Sequence, residues 1–207
     1  LAREWDLVAY NAPNYLIVKS AGNDRNDTGP APGSVHYIFV NNQLAQSNDV
    51  RDPDGGATGY DTLPQRGNAK NILTIGAVDD IPGGYVSPAQ VVAANFSGWG
   101  PTDDGRIKPD LVANGVNLYS CVAFNGLLPS DSTYATYSGT SMSSPNTTGA
   151  LGLVLQHYKN TRLTQPTAST LKALAIHGAD EAGPNNGPDY MFGWGLLNAR
   201  TSAQIIT

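Results

Sequence analysis

The sequence predicts one α/β domain, in which a mostly parallel central sheet is flanked by helices in a three-layer α/β/α arrangement. Three observations carry this reading. Short apolar, β-branched runs alternate along the chain with longer stretches of helical spacing, the order that a parallel sheet with crossover helices requires. Hydrophobic residues make up 40% of the chain and charged residues 14%, which supplies a core and excludes a charge-driven disordered chain. The 23 Gly and 14 Pro imply tight turns and shaped loops, which a helical bundle does not need. At 207 residues, the whole of 1–207 fits a single domain.

Taken in order, residues 1–11 suit the end of an amphipathic helix, with Leu1, Trp5 and Val8 at three- and four-residue spacing. Residues 15–18 read as a short buried strand, stopped by Ala21-Gly22-Asn23. Residues 24–34, rich in Asp, Asn, Gly and Pro, form a loop, and 35–40 a further short strand. A long polar stretch follows over 41–70. The clearest strand is 71–78, an apolar run bounded by Asn and Asp-Asp, and 91–94 and 116–119 are weaker strands. Residues 142–158 read as a helix whose Gly149 and Gly152 permit close packing. A second helix spans 167–177 with Leu171, Leu174 and Ala175 inward, and a third spans 198–206.

Composition also narrows the function. The formal net charge of −5 and the lack of a basic stripe argue against nucleic-acid binding. No apolar stretch reaches the ~20 residues that span a bilayer. The single cysteine, Cys121, forms no internal disulfide and reads as a small buried apolar residue. The opening Leu1-Ala2-Arg3 is neither an initiator nor a signal peptide, and suggests a start inside a longer gene product.

The chemistry concentrates in Tyr137-Ser138-Gly139-Thr140-Ser141-Met142-Ser143-Ser144-Pro145. A serine where a Gly-containing loop enters a helix stands exposed at the helix N-terminus, near backbone N–H groups that can receive an oxyanion. Pro145 suits a first helical turn. On local chemistry alone the same serine also reads as an N-cap. A second block, Val18-Lys19-Ser20-Ala21-Gly22-Asn23, ends a strand on a side-chain amide that can donate into a cleft, or that simply makes a turn.

These residues resemble the subtilisin-like serine proteases. Gly139-Thr140-Ser141-Met142-Ser143-Ser144-Pro145 is similar to the family's nucleophile signature, with Ser143 in place of the usual Ala and Asn146 where a supporting His is common. Residues 18–23 resemble the strand that ends in Ala-Gly-Asn. Weaker likenesses lie in residues 71–78, in Phe96-Ser97-Gly98-Trp99-Gly100-Pro101, in Lys108-Pro109-Asp110-Leu111 and in Gly193-Trp194-Gly195-Leu196-Leu197-Asn198-Ala199. Ala113-Asn114-Gly115 departs from the usual Ala-Pro-Gly.

The resemblance implies a subtilisin-like fold lacking its N-terminal strands, so that 1–207 is the C-terminal portion of one peptidase domain. It implies Ser141 as nucleophile, Asn23 as oxyanion-hole donor, and Ser20, Ala21 and Gly22 as one wall of the pocket for the substrate side chain before the cut. Protein or peptide substrates, a secreted or cell-surface location, and the N-terminal part of the same domain as partner follow from it. So does the alternative of a non-catalytic module that keeps the fold. In that family the chain order is Asp, His, Ser, yet no His precedes Asn23 and the one upstream Asp, Asp6, sits in no motif. His36, His157 and His177 lie outside any such motif, so the triad His and Asp are expected in a preceding segment. No cofactor is needed for this chemistry. A structural calcium is common in the family, and Asp49, Asp52, Asp54 and Asp61 offer hard oxygen ligands without an EF-hand spacing, so a solvated loop is the simpler reading.

Overall fold

The computed structural model describes residues 1–27, 29–31, 33–49, 55–56, 58–122 and 133–207. Its centre is a parallel sheet of three strands, β1 (Val18–Ser20), β4 (Leu73–Val78) and β5 (Leu111–Asn114), in the order β1-β4-β5. Register is set by Val18 opposite Leu73 and Ile75 opposite Leu111. All six residues of β4 are buried, as expected of the middle strand of a parallel sheet covered on both faces.

The two-residue side-chain period of the strands divides the core. Leu73, Ile75, Leu111 and Ala113 point to one face, where they meet Leu151 and Val154 of α2 (Thr140–Arg162), Leu171 and Ala175 of α3 (Ala168–His177), and Ile206 of α4 (Ala199–Ile206). Val78 and Val112 point to the other face, against Val91, Ala182 and Phe192. The α/β class is therefore as the alternation predicts. Helix α1 (Ala2–Asn11) leads into β1, and Asp6 Oδ1 accepts from the Asn71 N–H at 2.7 Å, fastening it beside the start of β4.

Several local expectations shift. The first strand begins at Val18 rather than at residue 15, because pairing with β4 sets its bounds; of the lead-in, only the Ile17 carbonyl reaches β4, accepting from Leu73 N–H at 2.9 Å. The stretch 41–70 opens with β3 (Gln43–Ser47), an antiparallel partner of β2 (His36–Val40). Their turn, Asn41-Asn42, has φ of 51° and 62°, the left-handed pair a tight hairpin needs. Residues 91–94 form no strand and touch the sheet through one antiparallel bridge, Ala93 to Val78. The strand expected at 116–119 is β6 (Leu118–Cys121), paired with β7 (Tyr134–Tyr137). Gly149 and Gly152 are exposed, and among the described residues nothing lies within 4 Å of where a Cβ would stand, so they make no close packing there.

One buried ionic cluster ties the sheet to the helices. Asp110 Oδ2 accepts from the Thr74 N–H at 2.7 Å and from the Lys108 ammonium, while Oδ1 pairs with Lys172 of α3 at 2.7 Å. Lys108 is only 2% exposed and also donates to Thr74 Oγ1 and the Ile72 carbonyl. Burial lowers its pKa to about 8, with Asp110 opposing that shift.

Candidate active site

Helix α2 carries Ser141 in its first turn, and the serine is exposed. Its N-cap is Gly139 at φ 154°, and the Gly139 carbonyl accepts from Met142 N–H at 2.9 Å and Ser143 N–H at 3.3 Å. No hydrogen bond to the Ser141 N–H is made among the described residues. Pro145 lies in the second turn rather than the first, since the helix begins at Thr140; it removes the donor that the Ser141 carbonyl would otherwise receive. Ser143 is fully buried and gives its hydroxyl to the Thr140 carbonyl at 3.1 Å, so the change from the usual Ala leaves no unsatisfied group.

Asn23 reaches this helix start from the other end of the sequence. Its Oδ1 accepts from the Thr140 N–H at 2.8 Å and from Thr140 Oγ1 at 2.7 Å. A backbone N–H can only be met by the amide oxygen, which fixes the amide orientation and leaves Nδ2 as the group free to donate. Asn23 thus caps α2 from outside the helix, one residue before Ser141. The loop that carries it is held by Ala21 N–H to the Ile75 carbonyl at 2.9 Å and by Gly98 N–H to the Gly22 carbonyl at 3.0 Å.

Of the expected pocket wall, Ser20 and Gly22 are half-buried and Ala21 is fully buried. Lys19, half-buried, turns its ammonium onto the Ser20 hydroxyl at 2.7 Å and carbonyl at 2.8 Å. Burial lowers its pKa, and the nearby Arg66 lowers it further.

On the opposite flank of Ser141 opens a cavity of about 530 Å³, lined by Tyr119, Cys121, Tyr137, Met142 and Pro145 among others. Cys121 is exposed there, against the expectation of a buried residue, because the β6–β7 hairpin lies outside the core. Tyr119 and Tyr134 stack across that hairpin at 5.4 Å.

Supporting residues that the motifs did not single out pack behind the serine. The Gly139 N–H donates to the Gly115 carbonyl at 2.7 Å, and a Cβ on Gly115 would stand 2.6 Å from Ala77 Cβ and 2.9 Å from the Gly139 carbonyl oxygen. Gly115→Ala is therefore expected to cost about 1–3 kcal/mol of stability and to displace the Ser141 loop; urea denaturation and Ser141 labelling rates measure both. Asn114, where the family has Pro, makes its own turn by accepting from Val116 N–H at 3.0 Å, and its carbonyl receives Asn146 Nδ2 at 3.4 Å. The hints of these roles in the sequence are the departure from Ala-Pro-Gly and Asn146 in place of the usual His.

Among the described residues no histidine hydrogen-bonds Ser141 or lines the cavity it borders. His157 is sixteen residues further along α2, about 24 Å at 1.5 Å per residue, and contacts Thr207 Oγ1. His177 ends α3, and His36 starts β2, its Nδ1 3.1 Å from the Ser34 carbonyl. Asp6 is occupied with Asn71, as described above. In the acidic loop, Asp49 takes a hydrogen bond from Ser47 Oγ at 3.0 Å, and Asp52 and Asp54 lie outside the described residues. Among the described residues no group of three or more His, Cys, Asp or Glu could hold a metal ion. No described helix is long and apolar enough to cross a membrane.

Comparison with known proteins gives the family. The model of the subtilase family, Peptidase_S8, matches residues 4–195. The chain belongs to the subtilase family. The serine protease AprX of Bacillus subtilis strain 168 is 34% identical over 151 residues, which is 68% of this chain and 31% of AprX. The C5a peptidase of Streptococcus pyogenes serotype M1 is 46% identical over 132 residues, 61% of this chain and 10% of that protein. The prenylagaramide maturation protease PagA shares the fold at a TM-score of 0.62 and 19% identity, over the whole of this chain and 55% of its own. The self-cleaved protease domain of PatA gives the same score over 54% of its chain. This subtilase chain therefore spans about a third or less of these curated relatives and about half of the solved protease chains.

Proposed function

We propose that this subtilase chain is the nucleophile-bearing part of a serine endopeptidase. Ser141 Oγ attacks the scissile peptide carbonyl carbon, and the carbonyl oxygen, now an oxyanion, is held by the Ser141 N–H and Asn23 Nδ2. The hydroxyl proton passes to a histidine base and from there to the departing amine as the C–N bond breaks. Water then gives a proton to the base as it attacks the ester carbonyl. The base passes that proton to Ser141 Oγ as the acyl group leaves as a carboxylic acid, which restores the free hydroxyl and the neutral base. That base and its orienting aspartate come from a segment that precedes Asn23 in the gene product, since the family's chain order places both there and no described histidine lines the cavity that Ser141 borders. Ser20, Ala21 and Gly22 border the side chain before the cut. The chemistry needs no cofactor, and the substrates are proteins or peptides met outside the cell or at its surface.

The observation that carries this reading is the double hydrogen bond from Thr140 to Asn23 Oδ1. It presents one amide N–H group and the unpaired Ser141 N–H beside an exposed serine, the donor pair an oxyanion hole requires. The names of AprX and the C5a peptidase, which are proteases, support it. The test compares hydrolysis of an unfolded protein by the full gene product and by residues 1–207 alone. The expected result is cleavage by the former, blocked by phenylmethylsulfonyl fluoride, and none by the latter. Ser141-dependent cleavage by residues 1–207 alone would remove the need for an upstream base.

A further inference from the structure

A cavity of about 520 Å³ lies away from Ser141, lined by Val91, Val92, Met191 and Phe192, with Arg25 and Trp99 on its wall. Arg25 stacks its guanidinium over the Trp99 ring at 4.0 Å and is the one charged residue among the described residues that line it. Arg25 Nη2 donates to the Asn95 carbonyl, yet Arg25 Nε and Trp99 Nε1 are buried donors with no acceptor among the described residues. Both nitrogens belong to side chains that line the cavity.

We propose that this cavity binds the C-terminal end of a peptide whose last residue is apolar or aromatic. The chemistry of the wall selects such a ligand. A guanidinium on the wall favours a carboxylate over a neutral amide, because its permanent positive charge pairs with the anion and not with the amide. The apolar floor favours a large uncharged side chain and gives a second cation no partner. A C-terminal apolar residue carries carboxylate and side chain on one Cα, so both features are met within one residue. An Asp or Glu side chain offers the charge without the apolar body. The site uses neither Ser141 nor Asn23, so it stands independently of the proposed hydrolysis, although hydrolysis generates ends of this kind.

The test is calorimetric titration of the full gene product with N-acetylphenylalanine, N-acetylphenylalanine amide and N-acetylglutamate α-amide. The proposal expects saturable binding of the first, at least tenfold weaker binding of the other two, and no change in Ser141→Ala. Arg25→Met is expected to abolish the preference for the acid over its amide. Val92 is 51% exposed on the cavity wall, so Val92→Glu introduces a carboxylate beside Arg25 without entering the core, and it is expected to weaken binding of the acid at least tenfold. Equal binding of acid and amide, binding unaltered in folded Arg25→Met and Val92→Glu proteins, or no saturable binding would each overturn the proposal.

Discussion

Replacing Ser141 by Ala in the full gene product is expected to lower peptide hydrolysis by about 10⁶-fold, the magnitude found when the nucleophile of subtilisin itself is removed. The loss is in turnover, because the hydroxyl meets substrate chiefly in the bond-forming step. Asn23→Ala is expected to cost less, about 10²–10³ in kcat with little change in KM, as for the amide donor of subtilisin. This geometry adds a consequence of its own. Asn23 also caps α2 through Thr140, so Asn23→Ala removes a cap worth about 0.5–2 kcal/mol of stability. Asn23→Asp keeps the accepting oxygen while deleting the Nδ2 donor, and is expected to retain the stability and still lose the turnover. Steady-state kinetics and urea denaturation on the same preparations separate the two roles. Equal kcat in Asn23→Asp and the parent protein would remove Asn23 from the oxyanion hole.

The second large effect lies at Asp110. It is 5% exposed and compensates two cations, the 2%-exposed Lys108 and the Lys172 of α3, while receiving the Thr74 N–H of β4. Truncating one member of a buried ion pair strands the other, so Asp110→Ala is expected to destabilise by about 3–5 kcal/mol, a large share of the roughly 5–15 kcal/mol that holds a domain folded. Adding Lys108→Met removes the stranded cation and is expected to recover part of that loss. A change below about 1 kcal/mol in Asp110→Ala would mean that the cluster behaves as a surface pair. Hydrolysis by the surviving folded fraction is expected to be unchanged, because the cluster lies at the starting ends of β4 and β5 and hydrogen-bonds neither Asn23 nor Ser141.

The same cluster sets a pH dependence. The folded-state pKa of Lys108, about 8, lies below its ordinary 10.5, so between those values the unfolded chain binds more protons at this site. Stability contributed by this group therefore rises with pH across that window. Below pH 8 the lysine is protonated in both states and the full cost of burying its charge is present. Relative to Lys108→Met, the parent protein should gain stability between pH 8 and 10.5; a flat difference in urea midpoints would contradict the assignment.

Much of this was legible because it is local. The run in β4 is apolar and β-branched, the α2 and α3 stretches have helical spacing, and each lies where the sequence puts it to within a few residues. Ser141 and Asn23 were found separately, each by its own short motif. What no local pattern shows is that Asn23 and Thr140, 117 positions apart, share hydrogen bonds at the entry to α2. The Lys-Pro-Asp segment was visible as a likeness, but a lysine in a sequence reads as a solvated residue. Its burial depends on Ile72 and Thr74, some 34–36 positions away. Cys121 was misread for the converse reason: small and apolar by type, it sits on a hairpin that the core never covers. The Asn41-Asn42 turn carried its own signal, a pair of residues tolerant of positive φ, which the polar composition around it obscured.

The most direct measurement is fluorophosphonate labelling of the full gene product, followed by peptide mapping. An activated serine forms a stable phosphonyl ester, and the account predicts that the probe is found on Ser141, with labelling lost in Ser141→Ala and absent from residues 1–207 alone. A folded gene product that carries no probe on Ser141 would contradict the proposed nucleophile and leave the chain a non-catalytic member of its family.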